Sequence, residues 1–364
     1  MADSLTWLHL SDFHLCEPVN GWDATQIVTC LKDDIGRILR EQDLRPDLLF
    51  VTGDLAWGQL GDGDKSLASQ FLETHGVIEE VRELLGLEKK RVFLVPGNHD
   101  IDRDKVLEPQ TKHLQGLNDE EVNSLMQTGG SEWQAYAQRL YAYRDFIAKY
   151  YSHLYQDPER LIYANTLDIN GLKVGIAGLN SAWSATGKPG DKGKLRLGKW
   201  QLMKLSNQLD KDKAQFKIAV AHHPFNWLTS DEDPSLNRIL ERYYNVFLHG
   251  HEHSAWVQQP QGGLLRVAAG ACYGKTPQES GYNFVRIRGS QVEVWLRRFD
   301  ENGQGWVPCP VYQRTDNNDC WSLTLSLDPF AEIKQHGPTS VKAEIKGRGP
   351  DSGPAVPVNH RQFF

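Results

Sequence analysis

Residues 91–100 read RVFLVPGNHD, an apolar strand-like run that stops and is followed at once by Asn98, His99 and Asp100. The same arrangement recurs four times. LTWLHL leads into SDFH at 11–14, DLLFVT into GD at 53–54, FKIAV into AHHP at 221–224, and NVFLH into GHEH at 250–253. The C-terminal ends of strands in an α/β sheet converge on one crevice, so five segments rich in metal-competent side chains at five such ends read as one site. The donors are numerous enough for a pair of metal ions.

Outward from these motifs the chain alternates. A strand over 5–10, a helix over about 24–41, a strand over 47–52, a helix over about 66–85 and a strand over 91–95 make the βαβ rhythm of a mostly parallel sheet. After GNHD the rhythm breaks. Residues 105–155 read as helical and carry Trp133, Tyr136, Tyr141, Tyr143, Phe146, Tyr150 and Tyr151. An aromatic stripe at helical spacing is ordinary packing, and its place after a ligand loop also makes it a candidate cap over the crevice. Strands resume at 160–169 and 172–178 around the Asn170-Gly171 turn, and a helix near 198–210, the AHHP strand, a short helix near 235–242 and the GHEH strand follow. The loop SATGKPGDKGK at 184–194 lacks the phosphate-loop spacing and reads as a mobile surface loop. Runs at 264–269, 282–288 and 291–297 alternate as antiparallel strands, predicting a meander that finishes the second half. From about 335 the composition turns to Gly, Pro, Ser and Lys. The expected division is a catalytic domain over 1–300 with the helical insertion at 105–155, an extension over 301–334, and a flexible tail or linker over 335–364.

The 364 residues hold no apolar run near the roughly 18–20 residues of a membrane-spanning helix. The start, MADSLTWLHLSD, lacks a basic region and a small-residue cleavage site, so no secretory signal is expected. Five cysteines without CxxC spacing indicate neither a disulfide framework nor a zinc knuckle, and a cytoplasmic location is the expectation. A formal charge of −7 disfavours a protein that holds nucleic acid by charge alone.

Asp12 and His14, two apart at a strand end, leave extended backbone on one face and can chelate one ion. Asp54 offers a carboxylate able to bridge two ions, Asn98 an amide oxygen, and His222, His251 and His253 imidazoles. This mixture of nitrogen and oxygen suits Mn, Fe, Zn or Co better than Ca or soft copper. Two such divalent ions about 3.5–4 Å apart lower the pKa of a bridging water and clamp phosphoryl oxygens, and His99 beside a ligand can protonate a leaving alkoxide. The expected chemistry is hydrolysis of a phosphate ester.

The motifs D-x-H, GD, GNH[ED], H and GHxH, in this order over residues 5 to about 298, resemble the calcineurin-like metallophosphoesterases. The resemblance implies an α/β fold, a four-layer αββα sandwich of two mixed β-sheets with a helical insertion. It implies Asp12, His14, Asp54 and His253 as ligands of one metal, Asp54, Asn98, His222 and His251 as ligands of the other, and His99 as the catalytic histidine. Trp57 stands where purple acid phosphatases place a tyrosinate ligand, and GDLAWGQ lacks the Arg that protein serine/threonine phosphatases carry after GD. The AHHP and GHEH spellings look most like class III cyclic nucleotide phosphodiesterases and their bacterial relatives.

The resulting expectation is a dinuclear phosphodiesterase acting on a small phosphodiester such as a cyclic nucleotide. A nuclease or phosphomonoesterase of the same fold is the alternative, and a non-catalytic scaffold is disfavoured by the complete ligand set. Asn180 and His223 are candidate substrate-binding residues; Trp57, Trp183 and Trp227 are candidates for stacking on a base, with burial the stronger reading. Lys188, Lys192, Lys194 and Arg196 form a basic cluster suited to steering a small anion.

Overall fold

The computed structural model describes residues 4–331 apart from 262, 275–279, 301, 303–304, 312 and 317. The expected tail at 335–364 lies outside the described residues. The first half runs β1 (Ser4–Leu10), α1 (Glu17–Glu41), β2 (Leu48–Val51), α2 (Leu67–Leu84) and β3 (Val92–Leu94). Four helices follow, α3 (Glu108–Gly116), α4 (Asp119–Thr128), α5 (Gly130–Ala137) and α6 (Tyr141–Tyr150). The second half runs β4 (Tyr163–Ile169), β5 (Leu172–Gly178), α7 (Lys199–Lys211), β6 (Phe216–Val220), α8 (Glu232–Tyr243), β7 (Val246–His249), β8 (Trp256–Gln261) and β9 (Leu264–Ala268). It is succeeded by β10 (Gly281–Arg288), β11 (Gln291–Asp300), β12 (Gly305–Pro308) and β13 (Trp321–Thr324).

Two mixed sheets result. The first has the order β12-β11-β10-β1-β2-β3, with β13 on the same edge of β11 as β12; the second has the order β4-β5-β6-β7-β9-β8. Strands β1, β2 and β3 are parallel, as are β5, β6, β7 and β9. The sheets meet through fully buried aromatic rings: Trp7 packs on Phe50 at 6.2 Å, Phe50 on Phe93 at 5.6 Å, and Phe93 reaches Tyr163 of the second sheet at 6.1 Å. With helices outside, this is the sandwich expected of the sequence.

The C-terminal strands depart from the expected meander. β9 pairs parallel to β7 in the second sheet, whereas β10 and β11 cross to the first, β10 lying antiparallel to β1. Alternation of polar and apolar residues fixes a strand's faces but not its neighbour. Beyond residue 300, β12 and β13 continue the first sheet.

Most of the insertion's aromatics are packing residues, Tyr141 being exposed. Tyr143 and Phe146 lie on Phe71 of α2 at 5.8 and 5.4 Å, and Trp133 lies on Trp183 at 5.2 Å. Asn123 of α4 accepts a hydrogen bond from the Trp200 amide at the start of α7. The insertion thus ties the helical layer of one sheet to that of the other. The 184–194 loop, read as mobile, is stapled: the Asp191 carboxylate accepts hydrogen bonds from Thr186 N, Thr186 Oγ1 and Gly187 N, and Gly193 N donates to Trp227 O. Among the described residues no helix is long and apolar enough to cross a membrane, and the five cysteines are free thiols.

A buried ion pair fastens β11 to α1. The Arg297 guanidinium donates to both carboxylate oxygens of Asp34 at 2.8 and 2.9 Å, and Tyr282 Oη donates to the same carboxylate at 2.6 Å. Asp34→Ala strands a buried cation, so a loss of about 3–5 kcal/mol is expected in urea unfolding. Asp34→Leu with Arg297→Met, which removes both charges, should cost less; equal losses would show that packing rather than charge holds this edge.

Candidate metal centre

Each ligand candidate sits in the turn directly after a strand: Asp12 and His14 after β1, Asp54 after β2, Asn98 after β3, His222 after β6, His251 and His253 after β7. Asp12, His14, Asp54, His251 and His253 all have left-handed backbone, φ between 47° and 70°. Such φ values are unfavourable for residues with a Cβ and gather where function over-determines the backbone. This corrects one expectation. Asp12 and His14 meet through two left-handed residues past the end of β1, not through the alternation of an extended strand.

Two groups of donors form around one carboxylate. In the first, His14 Nε2 lies 3.2 Å from His253 Nε2, and Asp12 Oδ1 lies 3.3 Å from His253 Nε2 and 3.7 Å from His14 Nε2. In the second, His222 Nε2 lies 3.0 Å from Asn98 Oδ1 and 3.1 Å from His251 Nδ1. Asp54 Oδ2 belongs to both, 4.0 Å from His14 Nε2 and 3.3 Å from His222 Nε2. Donors about 2.0–2.2 Å from one ion stand roughly 3.0–3.5 Å apart, close to most of these spacings, with the two His14–carboxylate distances somewhat longer.

Lone pairs face one another in these groups. His222 Nδ1 donates to Thr52 O at 2.7 Å, so the neutral ring has an unprotonated Nε2 facing the Asn98 oxygen. Asp12 Oδ1 and His251 Nε2 are buried without a hydrogen-bond partner. Among the described residues, the ion-pair partners of Asp12 and Asp54 are histidines alone. Burial opposes the charge on both carboxylates, yet the surrounding imidazoles hold both below the ordinary range. Burial alone would depress His222, but Asp54 beside it raises it to about 9. Asp54 therefore favours positive charge at His222, where a neutral ring would instead offer its Nε2 lone pair to a metal, and the donor set fits divalent metal.

Neighbouring groups fix these ligands. Asp54 Oδ1 accepts from the His99 amide at 2.7 Å, and Asp12 Oδ2 accepts from the His251 amide at 3.0 Å. His223 Nε2 donates to Asn98 Oδ1 at 3.0 Å and its Nδ1 meets Ser181 Oγ at 2.9 Å, so His223 lies at the ligands and orients Asn98. Asp100, which the motif reading passed over, accepts from Gly97 N and Ala56 N and joins the GNHD loop to the GD loop. Burial and the Asp54 charge push its carboxyl up to about 7. His99 Nδ1 donates to Trp57 O at 2.5 Å, which leaves Nε2 as the nitrogen not engaged by that bond, and the ring lies 4.6 Å from that of His14.

The remaining candidates differ in their surroundings. Asn180 is buried, its Oδ1 accepting from Ala182 N and Trp183 N and its Nδ2 donating to Arg160 O. It braces a turn, in correction of the substrate-binding expectation. The basic cluster divides: Arg196 is buried against Asp119 and Asp231, while Lys192 Nζ lies 5.7 Å above the Trp227 ring. Trp183 is buried in the core; half-buried Trp227 and Trp57 flank the metal ligands, 4.0 Å from His251 and 6.2 Å from His14.

This arrangement agrees with a family comparison, in which residues 5–255 match the calcineurin-like phosphoesterase model. The chain belongs to the calcineurin-like phosphoesterase family. A curated relative, the uncharacterized metallophosphoesterase-like protein YydB of Bacillus subtilis, is 27% identical over 267 residues, 68% of this chain and 49% of that protein. The chain therefore spans about half the length of that relative. Among solved structures, PhoD superposes with a TM-score of 0.50 at 14% identity, covering 84% of this chain and 68% of its own, a likeness of fold. A dimetal phosphatase from Danio rerio superposes at 0.46 with 13% identity, covering 84% of this chain and 98% of its own.

Gly97 lets the two ligand loops touch. A Cβ there would lie 2.1 Å from Asp54 Oδ1 and 2.4 Å from Asp54 N. Gly97→Ala should therefore displace Asp54 and weaken metal binding at least about tenfold while the sheets stay folded. Manganese titration followed by calorimetry reads the affinity, and circular dichroism the fold; wild-type affinity would show that the Asp54 position is dispensable.

Proposed function

We propose that this protein hydrolyses small phosphodiesters, a cyclic nucleotide being the first to examine, with His99 as general acid and two divalent transition ions, Mn, Fe, Zn or Co, as cofactors. The observation that carries the reading is the Asp54 oxygen shared between two donor groups, with His99 attached through its amide to the other oxygen of the same carboxylate. Asp12, His14, Asp54 and His253 would hold one ion, and Asp54, Asn98, His222 and His251 the other. When bound, such a pair supplies an acidified water as nucleophile and positive charge for the phosphoryl oxygens.

The chain's own groups do the rest. Asp54 and Asp12 each accept a backbone amide, so their ligating oxygens are held before substrate arrives. The Trp57 carbonyl fixes the His99 tautomer with the proton on Nδ1, and Nε2, once protonated, passes its proton to the leaving oxygen. The half-buried Trp57 and Trp227 rings form walls beside the ligands that suit a flat aromatic group on the ester. The acidic total charge and the diversion of Arg196 into buried ion pairs count against tracking of a nucleic-acid polymer.

Manganese-loaded protein should hydrolyse bis-p-nitrophenyl phosphate and leave duplex DNA intact. His99→Ala should keep its metals and lose about 10²–10⁴ in kcat on an alkyl diester, less on a nitrophenyl ester whose leaving group scarcely needs a proton. An unchanged rate on the alkyl diester excludes His99 as the acid. Asp54→Ala removes a ligand from both groups, and mass spectrometry of the intact purified variant should show fewer metals per chain than wild type. Full metal retention would remove Asp54 from the centre.

A further inference from the structure

Arg103 carries a charge that the fold leaves open, and it lies along the GNHD loop. It begins a short turn in which Asp104 N donates to Asp102 Oδ1 at 3.0 Å, and Asp102 N donates to Arg139 O at 2.7 Å. Two glycines mark the path of its side chain. A Cβ on Gly187 would lie 2.7 Å from Arg103 Nε and 3.1 Å from Asn98 O; one on Gly58 would lie 3.4 Å from Arg103 Nη2 and 3.6 Å from His99 Nδ1. The guanidinium therefore borders Gly187, whose other neighbour is the Asn98 carbonyl, and Gly58, whose other neighbour is the Nδ1 edge of the His99 ring. Gly187 is held in that position by its hydrogen bond to Asp191.

Among the described residues nothing answers this cation. Arg103 Nε is buried without a hydrogen-bond partner, and among the described residues no carboxylate pairs with the guanidinium. Two arginines farther along the chain are engaged by it: Arg139 donates to two carbonyls, and Arg160 pairs with Asp157. A half-buried fork of donors left open beside a reactive histidine has the chemistry of an oxyanion site.

We infer that Arg103 binds an anionic group of the substrate on the leaving-group side of the scissile phosphorus, a second phosphate carried by the departing fragment. The inference rests on the phosphoesterase reading above and deepens it, because His99 would give its proton on that side and Arg103, a cation without a carboxylate partner among the described residues, lies across Gly58 from the Nδ1 edge of His99. Substrates of this class include cyclic dinucleotides, linear dinucleotides that carry a terminal phosphate, and dinucleoside pyrophosphates. In the last case water adds to one phosphorus, the bridging P–O bond breaks, and the electron pair leaves on the second phosphate. Negative charge grows there as the bond breaks, so Arg103 acts more on the transition state than on the bound substrate.

The test compares manganese-loaded wild type, Arg103→Gln and Arg103→Lys on bis-p-nitrophenyl phosphate, whose leaving group has no second anion, and on di(adenosine-5′) diphosphate. The ratio of kcat/KM for the pyrophosphate to that for the nitrophenyl diester should fall about 10–100-fold in Arg103→Gln, mainly through kcat, with partial recovery in Arg103→Lys. Calorimetry with the methylene-bridged analogue of the dinucleotide should show weaker binding to Arg103→Gln at an unchanged melting temperature. An unchanged ratio overturns the inference, whether both activities fall together or neither falls. So does a wild type that hydrolyses the nitrophenyl diester but not the pyrophosphate. If wild type hydrolyses neither, the phosphoesterase reading fails instead, and the methylene analogue still reports on Arg103.

Discussion

Asp12 and Asp54 are buried carboxylates with no lysine or arginine to neutralise them among the described residues. A buried charge has to be paired or given up, and a protein interior multiplies the cost of leaving it alone. Here His14 and His222 are themselves buried, and burial drives His14 down to about 3 and His251 well below its ordinary value. Ionised carboxylates ringed by imidazoles form a donor set that fits divalent metal, and the site's composition follows from that one electrostatic demand.

Topology meets the demand by dividing the donors between sheets. The carboxylates hang from β1 and β2, parallel neighbours in the first sheet, and most imidazoles from β6 and β7, parallel neighbours in the second. Hydrogen bonds then cross the gap: His251 N to Asp12, and His222 Nδ1 to Thr52 O. The aromatic ladder from Trp7 to Tyr163 sets the separation at which these contacts form. Unfavourable left-handed backbone at five ligand positions is sustained by the strands behind it, which are buried throughout the first sheet's parallel core.

Much of this was legible in the chain. LTWLHL, DLLFVT, RVFLVP, FKIAV and NVFLH all end in strands whose last residues directly precede the ligands, because a buried parallel strand needs a continuous apolar run and a ligand loop needs polar residues at once afterwards. Less accessible were features set by tertiary pairing. β10 resembles any half-buried strand and gives no sign that it joins β1 instead of β9. Asn180 looks like a free loop amide until the turn it braces is seen. Arg103 has no motif at all; its proximity to His99 depends on a turn and on two glycines from distant parts of the chain.

The claim on which the account stands is that one Asp54 oxygen serves two ions. Crystals of manganese-loaded protein, with anomalous data collected at the manganese edge, test it directly. Two peaks about 3.5–4 Å apart on either side of Asp54 Oδ2, one beside His14 and His253 and the other beside Asn98, His222 and His251, are the expected result. A single peak under full manganese loading, or a second one away from Asp54, would contradict the account.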